Sequence, residues 1–379
     1  MPAKMGNAMK SLCRLIAIFA FGLWAMNSAA QAQVGNDDND ADDCLATVVG
    51  DEGEFDITYD VCGTAYTTRY STIRLTGILQ RVIGQSFGFG PARVEPAGLS
   101  GLLSGDTRDR LQQSAIVITP TSGDADQAAA PVRPINVWAD GRVLYTDYIE
   151  SAGDLDGPTT SILAGFDYKL NSKLTAGLLL SIENSQLESA LNNLDSRSIG
   201  VGPYVGMVLT DNIVASASLI GTRISSNQAG GLLDYDTSRV QAAAALSGYW
   251  YKDTWRFNPG VSLSWSKDWE EENNGFTADR TVAVTLLTSS LQIGNTLQLS
   301  DTVTMEPWAG YAFDWTLDNT THTEGFGTFS YSNIDARLLA GLNFGLPGNA
   351  QLSITGEAGG LLLNELDSFS VDANLAVQF

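Results

Sequence analysis

ELDSFSVDANLAVQF, residues 365–379, alternates apolar and polar side chains up to its last residue. Phe369, Val371, Ala373, Leu375, Val377 and Phe379 fall on one face, and Ser370, Asp372, Asn374, Ala376 and Gln378 on the other. Strict period-two alternation is the signal of a β-strand. An apolar face ending on a terminal aromatic suits a strand with lipid on one side and a wet lumen on the other. The last strand of a soluble sandwich alternates in the same way, so the rest of the chain has to decide.

Upstream, the same character reaches back to Pro134. Five tight polar turn signals recur every 40 to 48 residues: Asn171-Ser172, Asp211-Asn212, Lys252-Asp253, Ser300-Asp301 and Gly348-Asn349. Between them lie longer polar stretches at 149–158, 184–197, 225–238, 268–278 and 318–328, and a shorter one at 364–367. Short turns alternating with long loops mark a transmembrane barrel of the outer-membrane type, with turns periplasmic and loops outside. The segments between them alternate as such strands require. Ile162, Ala164, Phe166, Tyr168 and Leu170 oppose Ser161, Gly165, Asp167 and Lys169. Trp255, Phe257, Val261, Leu263 and Trp265 oppose Arg256, Asn258, Ser262 and Ser264. Segment 212–224 is ambiguous, and a change of phase near Leu286-Leu287 reads as a bulge. The count is twelve strands, an even number that leaves both barrel ends periplasmic. Long strands carrying Tyr168, Trp250, Trp255, Tyr311 and Trp315 on the apolar face favour the membrane over the sandwich. The fold class is therefore all-β: a 12-stranded antiparallel transmembrane β-barrel over 134–379, with a small N-terminal region.

Residues 1–32 read as a signal peptide. Lys4, Lys10 and Arg14 precede the apolar run 15–26, and Ala30-Gln31-Ala32 forms a small-residue cleavage site. Removing it deletes three cations and no acids, moving the formal charge from −22 to −25. Such a polyanion has no electrostatic basis for binding nucleic acid. Charged residues make up only 17% of the chain, below the roughly 25% usual for soluble domains, which fits extensive contact with outer-membrane lipid. Residues 33–118 form a short N-terminal region opening on an acidic run, and 119–133 are a Pro- and Ala-containing linker. Cys44 and Cys62 are expected to form a disulfide in an oxidising compartment. Within 72–85, Leu75, Ile78, Leu79 and Val82 recur at helical spacing opposite Arg74, Gln80 and Arg81, despite Gly77. A second short helix is plausible over 104–118.

The inward strand faces carry Asp140, Arg142, Asp167, Lys169, Glu183, Arg239, Arg256, Glu306, Asp335, Arg337, Glu357 and Asp372 as the candidate lumen lining. Asp335 and Arg337, two apart on one face, are placed to pair. Arg108 and Arg110 in 104–118 are candidates to hold that segment as a plug against the lumen acids, with a disordered position outside the barrel as the alternative. The single histidine, His322, rules out a His-rich metal cluster. Its context, His322-Thr323-Glu324, lacks the serine of a phospholipase, and nothing fixes Asp314, Asp318 or Glu324 around it as a protease would require. The expectation is that the chain is not an enzyme and needs no cofactor.

INVWADGRV (135–143), the Gly-x-Asp of AGFDYKL (164–170) and the terminal LAVQF, in this order after a signal peptide and linker, resemble the translocator domain of autotransporters (type V secretion). The resemblance covers about two thirds of the chain. It implies residence in the outer membrane of a Gram-negative cell and a terminal strand read by the barrel-assembly machinery, with Leu375, Val377 and Phe379 inheriting that role. It also implies a segment that threads the pore as a helix. Ala373 and Asn374 stand where the family's sorting signal often has a glycine. Residues 33–133 show neither β-helix repeats nor a lipase-type nucleophile motif, so the secreted passenger is missing or much reduced. The expected function is insertion in the outer membrane with translocation or display of the short N-terminal region, for a host or surface ligand that the sequence does not name. A passive channel for small solutes is the alternative.

Overall fold

The computed structural model describes residues 45–49, 56–60, 63–89, 134–148, 155–188, 193–228, 233–271, 280–323, 327–330, 334–362 and 366–379. The signal-peptide and linker assignments, Cys44, Cys62 and segment 104–118 with Arg108 and Arg110 lie outside these residues. The described N-terminal elements are a two-stranded antiparallel hairpin, β1 (Leu45–Val49) and β2 (Asp56–Asp60), and one helix, α1 (Gly63–Ser86).

The strands that follow build one closed sheet. In chain order they are β3 (Ile135–Tyr148), β4 (Leu155–Asn171), β5 (Leu174–Glu188), β6 (Asn193–Thr210), β7 (Ile213–Gln228), β8 (Leu233–Gly248) and β9 (Trp250–Lys252). There follow β10 (Trp255–Glu271), β11 (Arg280–Asn295), β12 (Leu297–Ser300), β13 (Val303–Thr323), β14 (Gly327–Ser330), β15 (Ile334–Leu346), β16 (Ala350–Gly359) and β17 (Leu366–Gln378). Twelve of them are the staves of the barrel, each antiparallel to its neighbours. Short β9 and β12 continue β8 and β11 towards the turns, and β14 folds back on the outer end of β13. The sheet closes where β17 pairs with β3, from Leu366↔Tyr148 to Gln378↔Asn136. The Phe379 amide then donates to the Ile135 carbonyl at 2.9 Å. Closure leaves no unpaired edge, which is what makes strands viable in hydrocarbon.

The alternation read from the last fifteen residues holds in three dimensions. Phe369, Val371, Leu375 and Phe379 are 60, 60, 47 and 64% exposed, whereas Ser370, Asp372, Asn374 and Gln378 are 5, 8, 0 and 5%. In β4, Ile162, Phe166 and Tyr168 face out while Ser161 and Asp167 face in. In β10, Trp255, Leu263 and Trp265 face out while Arg256, Ser262 and Ser264 face in. The tight connections fall at the predicted dipeptides. Asp253, Gly348 and Asn349 adopt φ of 55°, 74° and 59°, the left-handed region that Gly, Asn and Asp tolerate best.

Two expectations are corrected. The strands are longer than the polar stretches suggested: β5 and β6 pair as far as Glu188↔Asn193, so most of 184–197 is strand. The phase change near Leu286-Leu287 is not a bulge within that strand. In β11 the even-numbered residues stay inward, and Val282, Val284 and Leu286 are fully buried there. The ladder does shift at this level, between Thr285 and Leu286, but Thr285 faces Asp318 and Leu286 faces Thr316. The extra residue is thus Leu317 of β13. Beyond it the inward positions of β13 switch from Asp314 and Thr316 to Asn319 and Thr321.

Candidate functional site

Helix α1 stands inside the barrel. Its sequence is a poor helix former, with five threonines and internal Gly77 and Gly84 in 24 residues. In water such a helix would be marginal at best. The lumen supplies what the sequence lacks. Thr72 and Thr76 turn their hydroxyls back onto the carbonyls of Thr68 and Thr72, at 2.7 and 2.9 Å. The apolar side packs on the wall in two places. Leu75, Ile78, Leu79, Val82, Ile83 and Phe89 form one cluster with Trp138, Leu163, Leu179, Tyr204, Val208, Val214, Ile220, Tyr249 and Ala376. Ile73 forms another with Val282, Val284 and Leu286. Each fully buried aliphatic side chain contributes about 1.5–3 kcal/mol relative to exposure. Two glycines make the fit. A side chain on Gly84 of α1 would collide with Tyr249, and one on Gly206 of β6 would occupy the place of Ile83. Strand β8 breaks at Tyr249, whose ring stacks on Phe89 with centroids 4.6 Å apart.

Polar contacts fix the direction of the helix. Near its start, the Thr68 hydroxyl donates to Asp268 at 2.9 Å and accepts from Arg239 at 2.6 Å. Asp268 lies near the loop end of β10, the end that faces outside in an outer-membrane barrel. At the other end, the Ser86 hydroxyl donates to Asp167 at 2.6 Å, and the Gln378 amide donates to the Gln85 carbonyl at 2.8 Å. Asp167 lies near the turn end of β4, and Gln378 at the chain terminus. Asp167 also accepts from Asn136, Thr175 and Tyr204, each at 2.9 Å. The Trp138 indole N–H donates to that Tyr204 hydroxyl at 2.8 Å. The helix therefore runs from the loop end at Thr68 to the turn end at Ser86.

The lumen charges follow one pattern. Wall arginines meet wall carboxylates: Arg239–Asp268 (2.7 Å), Arg256–Glu306 (2.7 Å), Arg280–Glu270 (2.6 Å), Arg337–Asp314 (2.5 Å), Arg337–Glu357 (3.0 Å) and Arg142–Glu357 (3.3 Å). Three other wall carboxylates meet helix arginines instead: Arg74–Asp140 (3.0 Å), Arg81–Asp372 (2.9 Å) and Arg69–Asp335 (3.7 Å). Arg74 also bonds the Ser161 hydroxyl. These are charge-assisted contacts in a largely dehydrated setting, where each partner depends strongly on the other.

Of the inward charges read from sequence, Asp140, Arg142, Asp167, Arg239, Arg256, Glu306, Asp335, Arg337 and Asp372 are buried, and Lys169, Glu183 and Glu357 are half-buried. Asp335 and Arg337 do not pair, because Arg337 reaches the neighbouring strands and Asp335 faces Arg69. Among the described residues, the segment in the lumen is α1. Its three arginines escaped notice as anchors because nothing in 63–86 distinguishes them from solvent-facing cations. His322 is exposed on the outer end of β13, in register with Thr281 and Thr328. Asp314 is bound by Arg337 and Thr288, and Asp318 accepts from Thr320. Among the described residues no group of three His, Cys, Asp or Glu side chains is placed to hold a metal.

A family model described as "Autotransporter beta-domain" matches residues 137–359. No curated protein sequence matches the chain. Among solved structures, the chain is similar to the β domain of the Bordetella autotransporter BrkA, at 17% identity over 65% of this chain and 100% of that one, with TM-score 0.53. It is also similar to the transport unit of AIDA-I from Escherichia coli, at 10% identity, 68% and 93% coverage and TM-score 0.49. The translocator domain of NalP from Neisseria meningitidis matches at 15% identity, 67% and 90% coverage and TM-score 0.47.

Proposed function

This chain belongs to the autotransporter β-domain family, and on that premise we propose that it carries its own short N-terminal region through the barrel, displays it on the cell surface and retains α1 in the pore. As an outer-membrane barrel of a Gram-negative cell, its lipid-facing belt is the alternating apolar face of the twelve strands. The observation that carries the display reading is the direction of α1. With Thr68 at the loop end and Ser86 at the turn end, the start of α1 points to the outer mouth, which supports an outward path for the chain before it. A passive solute channel, the alternative left open by the sequence, would have to conduct past a helix packed and ion-paired against the wall. No catalytic role is proposed.

Display is tested on intact cells carrying an epitope between Val49 and Asp56, in the β1–β2 connection. Added protease is expected to remove the epitope while the barrel survives. An epitope protected until the outer membrane is permeabilised would refute display.

The hairpin β1–β2 is bracketed in sequence by Cys44 and Cys62, one residue before Leu45 and two after Asp60. Their disulfide is part of the proposal. A closed loop of this size stabilises by about 3 kcal/mol in the chain-entropy account, a large gain for so small an element. Alkylation of denatured, unreduced protein from the membrane is expected to label neither cysteine, and two labels per chain would reject the bond.

A further inference from the structure

Beside α1 the lumen is not filled. A cavity of about 130 Å³ lies along the polar side of the helix, against the wall of β3, β8, β10, β11, β13 and β15–β17. Five guanidinium groups line it: Arg74 and Arg81 from the helix, and Arg142, Arg256 and Arg337 from the wall. Only two carboxylates, Glu357 and Asp372, reach its surface. Asp140, Glu306 and Asp314, which pair with Arg74, Arg256 and Arg337, are not among the lining residues. They hold those guanidinium groups from behind and leave the cavity surface donor-rich.

A second, independent observation points the same way. Arg74 Nε, Arg142 Nε and Trp308 Nε1 are buried N–H donors without a hydrogen-bond partner. Their residues are only 7, 6 and 6% exposed, and all three line this cavity. Thr355 Oγ1 and Gln85 Oε1, also lining it, are unpartnered too; the hydroxyl can donate, and only the amide oxygen is restricted to accepting. Buried donors are costly when unsatisfied, and guanidinium N–H groups match the geometry and charge of an oxyanion. Glu357 already illustrates that match by bridging Arg142 and Arg337.

We propose that this cavity is a binding site for a small soluble oxyanion of the phosphate, sulfate or carboxylate class. Two or more oxygens would accept from the unpartnered N–H groups, the donors left unused by the carboxylates that pair with the five arginines. The closed strand wall separates the site from lipid headgroups, so a freely diffusing anion is the occupant. The site depends on α1 standing in the lumen and is independent of whether residues upstream of Gly63 are displayed.

The test uses the full-length folded protein in detergent, titrated calorimetrically with inorganic phosphate and separately with sulfate in a chloride buffer. Saturable binding at one site per chain is expected. Arg142→Gln should weaken it at least tenfold while heat-modifiable mobility, the mark of a folded barrel, is unchanged. Trp308→Phe removes one indole N–H and keeps the ring's bulk, so it tests the site if Arg142→Gln fails to fold; a several-fold weakening is expected. Arg197→Gln, on the outward face of β6, should leave affinity as it was. Absence of saturable binding, or binding that Arg142→Gln and Trp308→Phe leave intact, would overturn the site. Equal weakening by Arg197→Gln would do the same. Display, read on intact cells by protease, succeeds or fails separately.

Discussion

Deleting residues 63–89 is expected to leave a folded barrel whose conductance in planar bilayers rises about tenfold over the intact chain, as for an unplugged barrel lumen. The barrel can survive the loss because its backbone hydrogen bonds run between strands and close at the β17–β3 seam, without help from α1. Asp140, Asp335 and Asp372 would lose their helix arginines, but the emptied lumen would fill with water and solvate them, offsetting the loss. A charge variant separates plugging from bulk. Arg74→Glu with Arg81→Glu sets like charges against Asp140 and Asp372, where removing one partner of a buried pair already costs about 3–5 kcal/mol. That double variant is expected to raise conductance towards the deletion level while membrane insertion is unchanged. Deletion of 33–62 alone should change conductance little. Equal, low conductance in the intact and 63–89-deleted proteins would rule out α1 as the plug, and equally high conductance would favour the passive channel.

The outer face of this barrel was legible in the sequence, and much of the inner face was not. Lipid imposes one requirement on every outward position, so the alternation in 365–379 could be extended strand by strand. The lumen imposes no uniform requirement, because what it asks depends on what occupies it. Where α1 lies against the wall, inward positions are apolar: Trp138, Leu163, Leu179, Ile220, Val282, Val284 and Leu286. Taken as polar-in, apolar-out strands, such segments look ambiguous. In β7 Leu219 faces out while Val214 and Ile220 face in, and in β11 the inward patch covered by Ile73 mimicked a change of phase. Those irregularities were the available sign of a lumen occupant. The occupant itself was legible only as an amphipathic pattern over 72–85. Its anchors were hidden because an arginine that meets a wall carboxylate across the lumen carries no local signature. The same limit explains the mistaken Asp335–Arg337 pairing: spacing of two places both side chains inward, but the partner of each is chosen by strands distant in sequence.

Phe379→Asp is expected to deplete folded protein from the outer membrane by an order of magnitude, and stability alone does not account for a loss of that size. Phe379 is 64% exposed on the lipid side. Its backbone exchanges two hydrogen bonds with Ile135, at 2.9 and 3.4 Å, which the substitution preserves. A charged residue on the lipid face near the interface costs about 0–1 kcal/mol, and acids less than bases. A barrel closed by twelve paired staves absorbs that. On the proposal that assembly machinery reads the terminal strand, the large effect is expected earlier, when that strand is presented with its apolar face outward, before the seam with β3 exists. Two measurements distinguish the stages. Yield in cells, read as heat-modifiable protein in the outer membrane, should collapse. Refolding of the purified variant into detergent should reach nearly the yield of the parent protein. An equal collapse in both would assign the role of Phe379 to the stability of the finished barrel. Normal yield in cells would show that the terminal aromatic is not what the machinery reads, and would shift that role to Leu375 and Val377, which share its face of β17.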